Sequence, residues 1–212
     1  MSNTTMLLPA GQGLAAAAKA LAAARLVVMP TDTVYGIAAR PDMPAAVSAL
    51  FAAKARPRAM PVPVLVAGAA QVAPIALISK AAQGLMDRFW PGAMTLVLPM
   101  RPGLGWDLGQ GDSTVALRQP DHKLALELLE ATGPLAVTSA NLSGRPPALE
   151  AWAAQADLGL TVAVYLDDGP SPGAVPSTVV RLVGEDVKVI RDGAISRADI
   201  VRAGRREVRS KA

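Results

Sequence analysis

Short apolar segments of this sequence are followed by side chains that can form hydrogen bonds. LVVM, at positions 26–29, precedes Thr31, Asp32, Thr33 and Tyr35, and LAVT, at 135–138, leads into SANLSG. Such apolar segments are typical of buried strands, and ligands of α/β proteins usually bind in loops at one edge of the sheet. Each cluster taken alone is more typical of a turn or a helix cap. Three more polar groups adjoin apolar segments, because Ser177 and Thr178 begin STVVRL, Arg118 ends STVALR and Arg191 follows VKVI. Five clusters of this kind together favour one polar pocket.

The segment KARPR could place cations beside that pocket. It contains Lys54, Arg56 and Arg58, and Pro57 disfavours a helical conformation at the residue before it. In an extended chain, residues two apart point the same way. Arginine presents a planar fork to carboxylates and phosphates, and lysine presents a point charge. We therefore expect three cations to face one anionic ligand, although an ordinary basic surface loop explains the charges equally well.

Composition excludes several kinds of chemistry. The chain has no cysteine and one histidine, His122, so thiolate catalysis, iron–sulfur clusters and multi-histidine metal sites are excluded. No Walker A loop and no G-x-G-x-x-G fingerprint occurs. Any metal is expected to be Mg²⁺ held by oxygen atoms and substrate phosphates. His122 stands at a predicted helix start, where we expect a structural or capping role.

Charge and hydropathy indicate the class of partner and the location. The net charge of +4 and the pI of about 9.8 suit an anionic partner such as a nucleotide or RNA. Aromatic residues make up only 3% of the chain, which disfavours an RNA surface built on base stacking. Apolar runs are too short to span a membrane, and the N-terminus lacks the pattern of a secretion signal. We expect a cytoplasmic protein without a membrane partner.

The elements that would position these residues alternate irregularly along the chain. Helices are predicted at 13–25, 44–56, 78–90 and 122–132, with a capped final helix starting near Ser196. Strands are predicted at 26–29, 62–67, 94–100, 113–118, 135–138, 161–168, 177–184 and 186–193. Several strands follow one another without a helix, which indicates a mixed sheet. We predict one α/β domain over 1–212, with a mixed twisted sheet, a core at about 14–201 and a basic tail at 202–212.

Seven segments together resemble the YrdC family of threonylcarbamoyl-AMP synthases. In chain order they are PTDTVYGIAA, KARPRAMPVPVLV, FWPGAMTLVL, VALRQPDH, TSANLSG, STVV and VIRDGAI. The resemblance implies a YrdC-like fold that encloses a positively charged cavity. It implies that L-threonine, bicarbonate and ATP, with Mg²⁺, give threonylcarbamoyl-AMP and pyrophosphate. It also implies a transferase complex that uses this product to modify tRNA. The length resembles the short, single-domain form of the family.

The resemblance also assigns roles to individual residues. Lys54 and Arg56 are the implied catalytic cations, and Ser139 and Asn141 are the implied contacts to Mg²⁺. The implied ATP ligands are Lys54, Arg56, Arg58, Thr114, Ser139, Asn141, Ser143 and Arg191. The implied threonine ligands are Thr31, Thr33, Tyr35, Arg118, Thr138, Ser177 and Thr178.

Three positions depart from the family pattern, and two other functions stay open. Met60 stands where many relatives have lysine, Leu65 or a neighbour stands where some have histidine, and Arg181 stands where an acid is usual. One alternative is a module that binds double-stranded RNA or tRNA without chemistry. The other is an enzyme that adenylates a different amino acid or small acid. The low aromatic content and the clustered hydroxyl groups argue against the first.

Overall fold

The structure is a computed structural model that describes residues 5–111, 113–184 and 186–209. Within these residues, ten strands form one sheet with helices on both faces. The strands are β1 (Met6–Pro9), β2 (Leu26–Met29), β3 (Gly36–Ala39), β4 (Val64–Leu65), β5 (Met94–Pro99), β6 (Thr114–Arg118), β7 (Leu135–Ser139), β8 (Val162–Asp167), β9 (Thr178–Val183) and β10 (Asp186–Arg191). The helices are α1 (Ala10–Ala22), α2 (Pro44–Ala53), α3 (Ala69–Val72), α4 (Lys80–Phe89), α5 (Lys123–Thr132), α6 (Ala151–Leu158) and α7 (Arg197–Arg209).

The sheet is mixed, as the irregular order of helices and strands predicts. Its strand order is β1-β8-β2-β3-β7-β4-β6-β5-β9-β10. Parallel pairs join β1 to β8, β2 to β8, β4 to β6 and β5 to β9, and the remaining neighbours are antiparallel. The prediction of a single mixed α/β sheet is therefore confirmed.

Two apolar cores cover the two faces of the sheet unequally. On one face, residues of α2, α4, α6 and α7 pack against strands from both halves of the sheet. On the other face, α1 and α5 pack against β2, β3, β7 and β8, with contributions such as Leu128 and Val137. The second core does not include β5, β6 or β9. That half of the face remains open and forms the floor of a cavity.

Several boundaries differ from the sequence predictions for identifiable reasons. β1, β3 and α6 were not predicted, because they are short or lack clear periodicity. The predicted strand at 62–67 is only two residues long and lies inside the sheet, not at an edge. Pro63 lies just before β4, so the N–H that proline lacks removes no hydrogen bond from the sheet. The Pro63 carbonyl accepts a hydrogen bond from the Val137 amide at 2.8 Å.

Helix signals in the sequence were more reliable than strand lengths. Ser79 caps α4 by accepting a bond from the Ala82 amide at 3.2 Å, and the Ser196 hydroxyl donates to Asp199 at 2.7 Å at the start of α7. Trp152 is 64% exposed on α6. Residues 210–212 of the predicted tail lie outside the described residues. None of the described helices is long and apolar enough to cross a membrane.

Candidate active site

The open half of the sheet forms a cavity of about 770 Å³, a size typical of substrate pockets. Its walls come from the turn after β2, the segment after α2, the ends of β6 and β7, and β9 with β10. Ten of the residues that the sequence assigned to a site line it. They are Thr31, Thr33, Tyr35, Arg56, Thr114, Arg118, Thr138, Ser139, Ser177 and Arg191.

Strand alternation places the floor residues on one face. The register pairs Thr95 with Val179, Val97 with Arg181, and Val97 with Ala116 across β6, β5 and β9. Because side chains alternate along a strand, these residues point into the cavity while Leu96 and its neighbours point into the apolar core. The rigid sheet therefore fixes the floor of the site.

The turn after β2 is built by its own hydroxyl groups. The Thr31 hydroxyl donates to the carbonyl of Val34 at 2.7 Å and accepts from the amides of Thr33 and Val34 at 3.2 and 3.3 Å. Since that single hydrogen is used, the 3.1 Å contact between the two threonine hydroxyls has Thr33 as its donor. Thr31 therefore shapes the turn, and Thr33 keeps acceptor capacity for a ligand.

Arg118 is held rigidly beside this turn. Its Nε donates to the carbonyl of Gly92 and its Nη1 to the hydroxyl of Thr33, both at 2.9 Å. Its Nη2 donates to the carboxylate of Asp32. Burial lowers the pKa of Arg118, and the charge of Asp32 partly offsets that effect. Arg118 is only 6% exposed, so the protein and not the solvent sets the orientation of its guanidinium.

The Tyr35 hydroxyl is bonded to the backbone of the loop after β8. It donates to the carbonyl of Gly169 at 2.6 Å and accepts from the Asp168 amide at 3.2 Å. Burial raises the pKa of Tyr35 to about 12, so this side chain stays neutral and hydrogen-bonded. Tyr35 lines the cavity, but its hydroxyl ties the turn after β2 to the loop after β8. The threonine contact implied for Tyr35 stays a prediction, and in the structure its hydroxyl already has two backbone partners.

Two further arginines of the cavity lining, Arg56 and Arg191, supply positive charge. Arg56 donates to the carbonyls of Met60 and Pro61 at 2.9 and 3.1 Å, and Arg191 donates to the Ser177 carbonyl at 2.7 Å. Burial lowers the pKa of Arg56, and the positive charge of Arg191 lowers it further. No carboxylate occurs among the described lining residues. Two guanidinium groups that repel each other provide a site for a polyanion.

Lys54 is not on the cavity surface, contrary to the expected direct contact with phosphate. It is 1% exposed, and its Nζ donates to the carbonyls of Ser139 and Asn141. It caps the C-terminus of α2, followed by Ala55 at a φ of 49°. Its ammonium therefore supports the end of β7 from behind. Burial lowers the pKa of Lys54 to about 8, and the charge of Arg56 contributes to that shift.

Four other predicted ligands also lie outside the cavity lining. Arg58 pairs with Asp107 and stacks over the ring of Phe51, because the chain turns after Pro57 instead of running extended. Thr178 is fully buried, and its hydroxyl donates to the Ile195 carbonyl at 2.7 Å and accepts from the same residue's amide. The threonine contact implied for Thr178 stays a prediction, and in the structure its hydroxyl is used by Ile195.

Two polar residues of the segment after β7, Asn141 and Ser143, are not among the lining residues. The Ser143 side chain is exposed, while its amide donates to the Lys54 carbonyl at 2.9 Å. The Asn141 side-chain amide donates to the carbonyls of Leu142 and Arg145 at 2.8 and 2.7 Å. Its Oδ1 is buried and has no hydrogen-bond partner among the described residues.

Magnesium would find oxygen ligands here but no carboxylate cage. The hydroxyl-bearing Ser139 lines the cavity, and the unpaired Oδ1 of Asn141 is an oxygen of the kind that Mg²⁺ accepts. Among the described residues, no group of three or more histidine, aspartate or glutamate side chains could hold a metal. The oxygen atoms of Ser139 and Asn141 are therefore donors that fit a magnesium ion.

Sequence reasoning missed some lining residues that strand alternation could have found. Thr95 lies in the otherwise apolar strand MTLVLP, where alternation places it on the cavity face. Its hydroxyl shares a 2.8 Å hydrogen bond with the Ser177 hydroxyl. Met60, Leu65 and Arg181, the departures from the family pattern, all line the cavity. The sequence assigns no role to Asp32, because nothing in it pairs this residue with Arg118, which lies 86 positions away.

Comparison with known proteins agrees with this geometry. The model of the Sua5/YciO/YrdC family, described as telomere recombination, matches residues 19–193. This chain belongs to that family. It is 48% identical over 186 residues to a Mycobacterium tuberculosis protein provisionally named threonylcarbamoyl-AMP synthase, covering 87% of this chain and 86% of the relative. It is 39% identical over 190 residues to the Bacillus subtilis threonylcarbamoyl-AMP synthase, covering 88% of this chain and 55% of that protein.

The fold comparison includes a structure that contains an amino acid. The crystal structure of Pyrococcus abyssi Sua5 complexed with L-threonine matches with a TM-score of 0.89 and 32% identity. The match covers 94% of this chain and 61% of that one. This chain therefore spans about three fifths of that longer relative, and the two share their fold over nearly all of this chain.

Proposed function

We propose that this chain is a threonylcarbamoyl-AMP synthase, an ATP-dependent nucleotidyltransferase. The observation that supports this most is the composition of one cavity. A rigid turn with Arg118 lies at one wall and the Arg56–Arg191 pair at another, above a fixed sheet floor. The first suits a small amino acid with a free carboxylate, and the second suits a polyphosphate. Relatives with this name share most of the chain.

Threonine would bind at the turn after β2. Two of the five N–H donors of Arg118 are not used by described residues, which leaves a donor pair for the amino-acid carboxylate. The remaining lone pair of Thr33 could accept from the substrate. Thr138 and Ser177 line the same cavity and are candidates for the substrate hydroxyl. Thr31 and Tyr35 act by holding the turn.

ATP would bind with its phosphates toward Arg56 and Arg191. Thr114 and Ser139 line the cavity and can donate hydroxyl hydrogens to phosphate oxygens. Lys54 acts as a positioning residue, because it holds the Ser139 and Asn141 carbonyls and places a positive charge beneath the wall. Magnesium, held by the Ser139 and Asn141 oxygens, would supply charge neutralisation for the phosphates.

The reaction needs no nucleophile from the protein. The threonine amine adds to bicarbonate-derived carbon to give a carbamate and water, and a carbamate oxygen then attacks the α-phosphorus of ATP as pyrophosphate leaves. The chain's own part is to align the carbamate with the α-phosphate and to stabilise the developing phosphoryl charge. Positioned arginines and hydroxyls suffice for this, which is consistent with a chain that lacks cysteine.

The product would be used by a transferase that modifies tRNA, in the cytoplasm where ATP and tRNA meet. Direct tRNA binding by this chain is the second candidate function. The cavity disfavours it as the main activity, since the arginines line a pocket of about 770 Å³ rather than an extended surface.

Pyrophosphate release tests this proposal. Purified protein is incubated with ATP, Mg²⁺ and bicarbonate, with L-threonine, L-serine or no amino acid. We expect release that requires L-threonine and bicarbonate and that falls strongly in Arg56→Ala. Release without threonine would favour adenylation of another acid. No release, together with tight and salt-dependent tRNA binding, would favour the RNA-binding module.

A further inference from the structure

We propose that Asp32 is a positioning residue that controls how Arg118 receives the amino-acid carboxylate. Asp32 orients the guanidinium and compensates its charge, so that this site accepts the carboxylate of an amino acid instead of trapping other anions. This inference rests on the proposed function, because it assumes that Arg118 meets the carboxylate of threonine. It assigns a role to a side chain that has no substrate contact of its own.

The Arg118–Asp32 pair is nearly dry. Their side chains are 7% and 12% exposed, and the carboxylate accepts from Nη2 of the guanidinium. The carbonyl of Gly92 and the hydroxyl of Thr33 accept from the other two guanidinium nitrogens. Each nitrogen of the planar group therefore has one fixed acceptor. A group held at three points cannot rotate, so its two remaining N–H donors, one on Nη1 and one on Nη2, are fixed in position.

Asp32 acts from behind Arg118 rather than from the cavity. Thr31 and Thr33 on either side of it line the cavity, and Asp32 itself does not. The turn that carries Asp32 is closed by the Thr31 hydroxyl bonds. The loop after β8 packs against the same turn, since a Cβ added at Gly173 would lie 2.7 Å from the Asp32 carbonyl oxygen. The backbone of Asp32 is thus fixed from two sides.

Charge compensation is the second part of the role. A buried guanidinium without its counter-ion is strongly disfavoured, so it would move toward the cavity or attract an anion from solvent. The cavity already contains Arg56 and Arg191, which attract polyanions. With Asp32 present, Arg118 offers directional donors without a full uncompensated charge. Asp32 thereby keeps phosphate-bearing ligands at the other arginines and leaves Arg118 to the carboxylate.

The test uses six variants: two changes at Asp32, Arg118→Ala, the combination of Arg118→Ala with each Asp32 change, and one control. Initial rates of pyrophosphate release are measured at limiting threonine. Asp32→Asn keeps the acceptor oxygen and removes the charge, and Asp32→Ala removes both. Each is made in the wild-type protein and together with Arg118→Ala. Asp42→Asn is the matched control, because Asp42 pairs with Arg40 on the exposed surface. Thermal unfolding and the affinity for a non-hydrolysable ATP analogue are measured for every variant.

We expect kcat/KM for threonine to fall about tenfold in Asp32→Asn and about 100-fold in Asp32→Ala, mainly through KM. Inorganic phosphate should become a better competitor of threonine in Asp32→Asn. The ATP-analogue affinity should stay within about threefold of wild type. In the Arg118→Ala protein, either change at Asp32 should alter kcat/KM by less than about twofold, because the two residues act as a unit.

The outcomes separate this inference from the proposed function. Unchanged threonine kcat/KM in Asp32→Asn, or the same loss with and without Arg118, would overturn the positioning role. Parallel losses of threonine and ATP-analogue affinity, with a lowered unfolding temperature, would show that Asp32 is only a structural residue. That result would also overturn the positioning role. Wild-type protein without threonine-dependent release would instead refute the proposed function.

Discussion

Replacing Lys54 by methionine tests how much the burial of its ammonium group lowers the free energy of unfolding. Lys54 is 1% exposed, with an ammonium that donates to two backbone carbonyls. Burial lowers its pKa from 10.5 to about 8. A difference of about 2.5 pH units corresponds to about 3 kcal/mol of destabilisation of the fold when the group is charged.

The sign of the pH dependence follows from proton binding. Below about pH 8 both the folded and unfolded chains carry the proton on Lys54, so the burial penalty is fully present. Between pH 8 and 10.5 the unfolded chain still holds a proton that the folded chain has released. Stability contributed by this residue therefore rises with pH in that window, by at most about 1.4 kcal/mol per pH unit.

The assay is urea unfolding of wild type and Lys54→Met from pH 7 to pH 10. The free energy of unfolding of wild type relative to the variant should rise by about 2–3 kcal/mol over this range, since other titrating groups cancel in the difference. Lys80→Met, at the exposed first position of α4, is the control and should show no such trend. A flat difference for Lys54→Met would refute the reasoning and show that the two carbonyl oxygens keep Lys54 protonated above pH 10.

Three further substitutions test separate parts of the site. Gly173→Ala places a Cβ 2.7 Å from the Asp32 carbonyl oxygen, so kcat/KM for threonine should fall about 10- to 100-fold in steady-state assays while ATP-analogue affinity stays unchanged. Arg56→Ala should weaken ATP-analogue binding about 10- to 100-fold by calorimetry; equal affinity would remove it from the phosphate site. Tyr35→Phe loses the bond to Gly169 and should cost about 1–2 kcal/mol in urea unfolding, with threonine affinity kept; a selective loss of threonine binding would restore the Tyr35 hydroxyl as a ligand.

The sequence predicted which segments meet but not which side chains face the ligand. The turn after β2 and the end of β7 meet because β3 and β7 are neighbours, with Gly36 opposite Ser139. The i, i+2 argument for KARPR failed because the chain turns there. Lys54 ends α2 and points to the carbonyls of β7, and Arg58 reaches Asp107. Local spacing could not reveal these long-range partners.

The strand pattern was informative where strands are long and misleading where they are short. β5, with six residues, was predicted within one residue of its end. β4, with two residues, owes its central place to its neighbours β6 and β7 and not to its own propensity. The open half of one sheet face could not be predicted, because it depends on where α1 and α5 pack. This open half of the sheet face forms the floor of the cavity, so the position of the site could not be predicted either.

Incorporation of labelled bicarbonate tests the central claim most directly. The protein is given carbon-labelled bicarbonate, ATP, Mg²⁺ and L-threonine, and the nucleotide products are separated and counted. The account predicts one labelled carbon in a threonine-containing AMP adduct for each pyrophosphate released, and no labelled adduct when threonine is omitted. Pyrophosphate release with an unlabelled threonine–AMP product, or no nucleotide product at all, would contradict it.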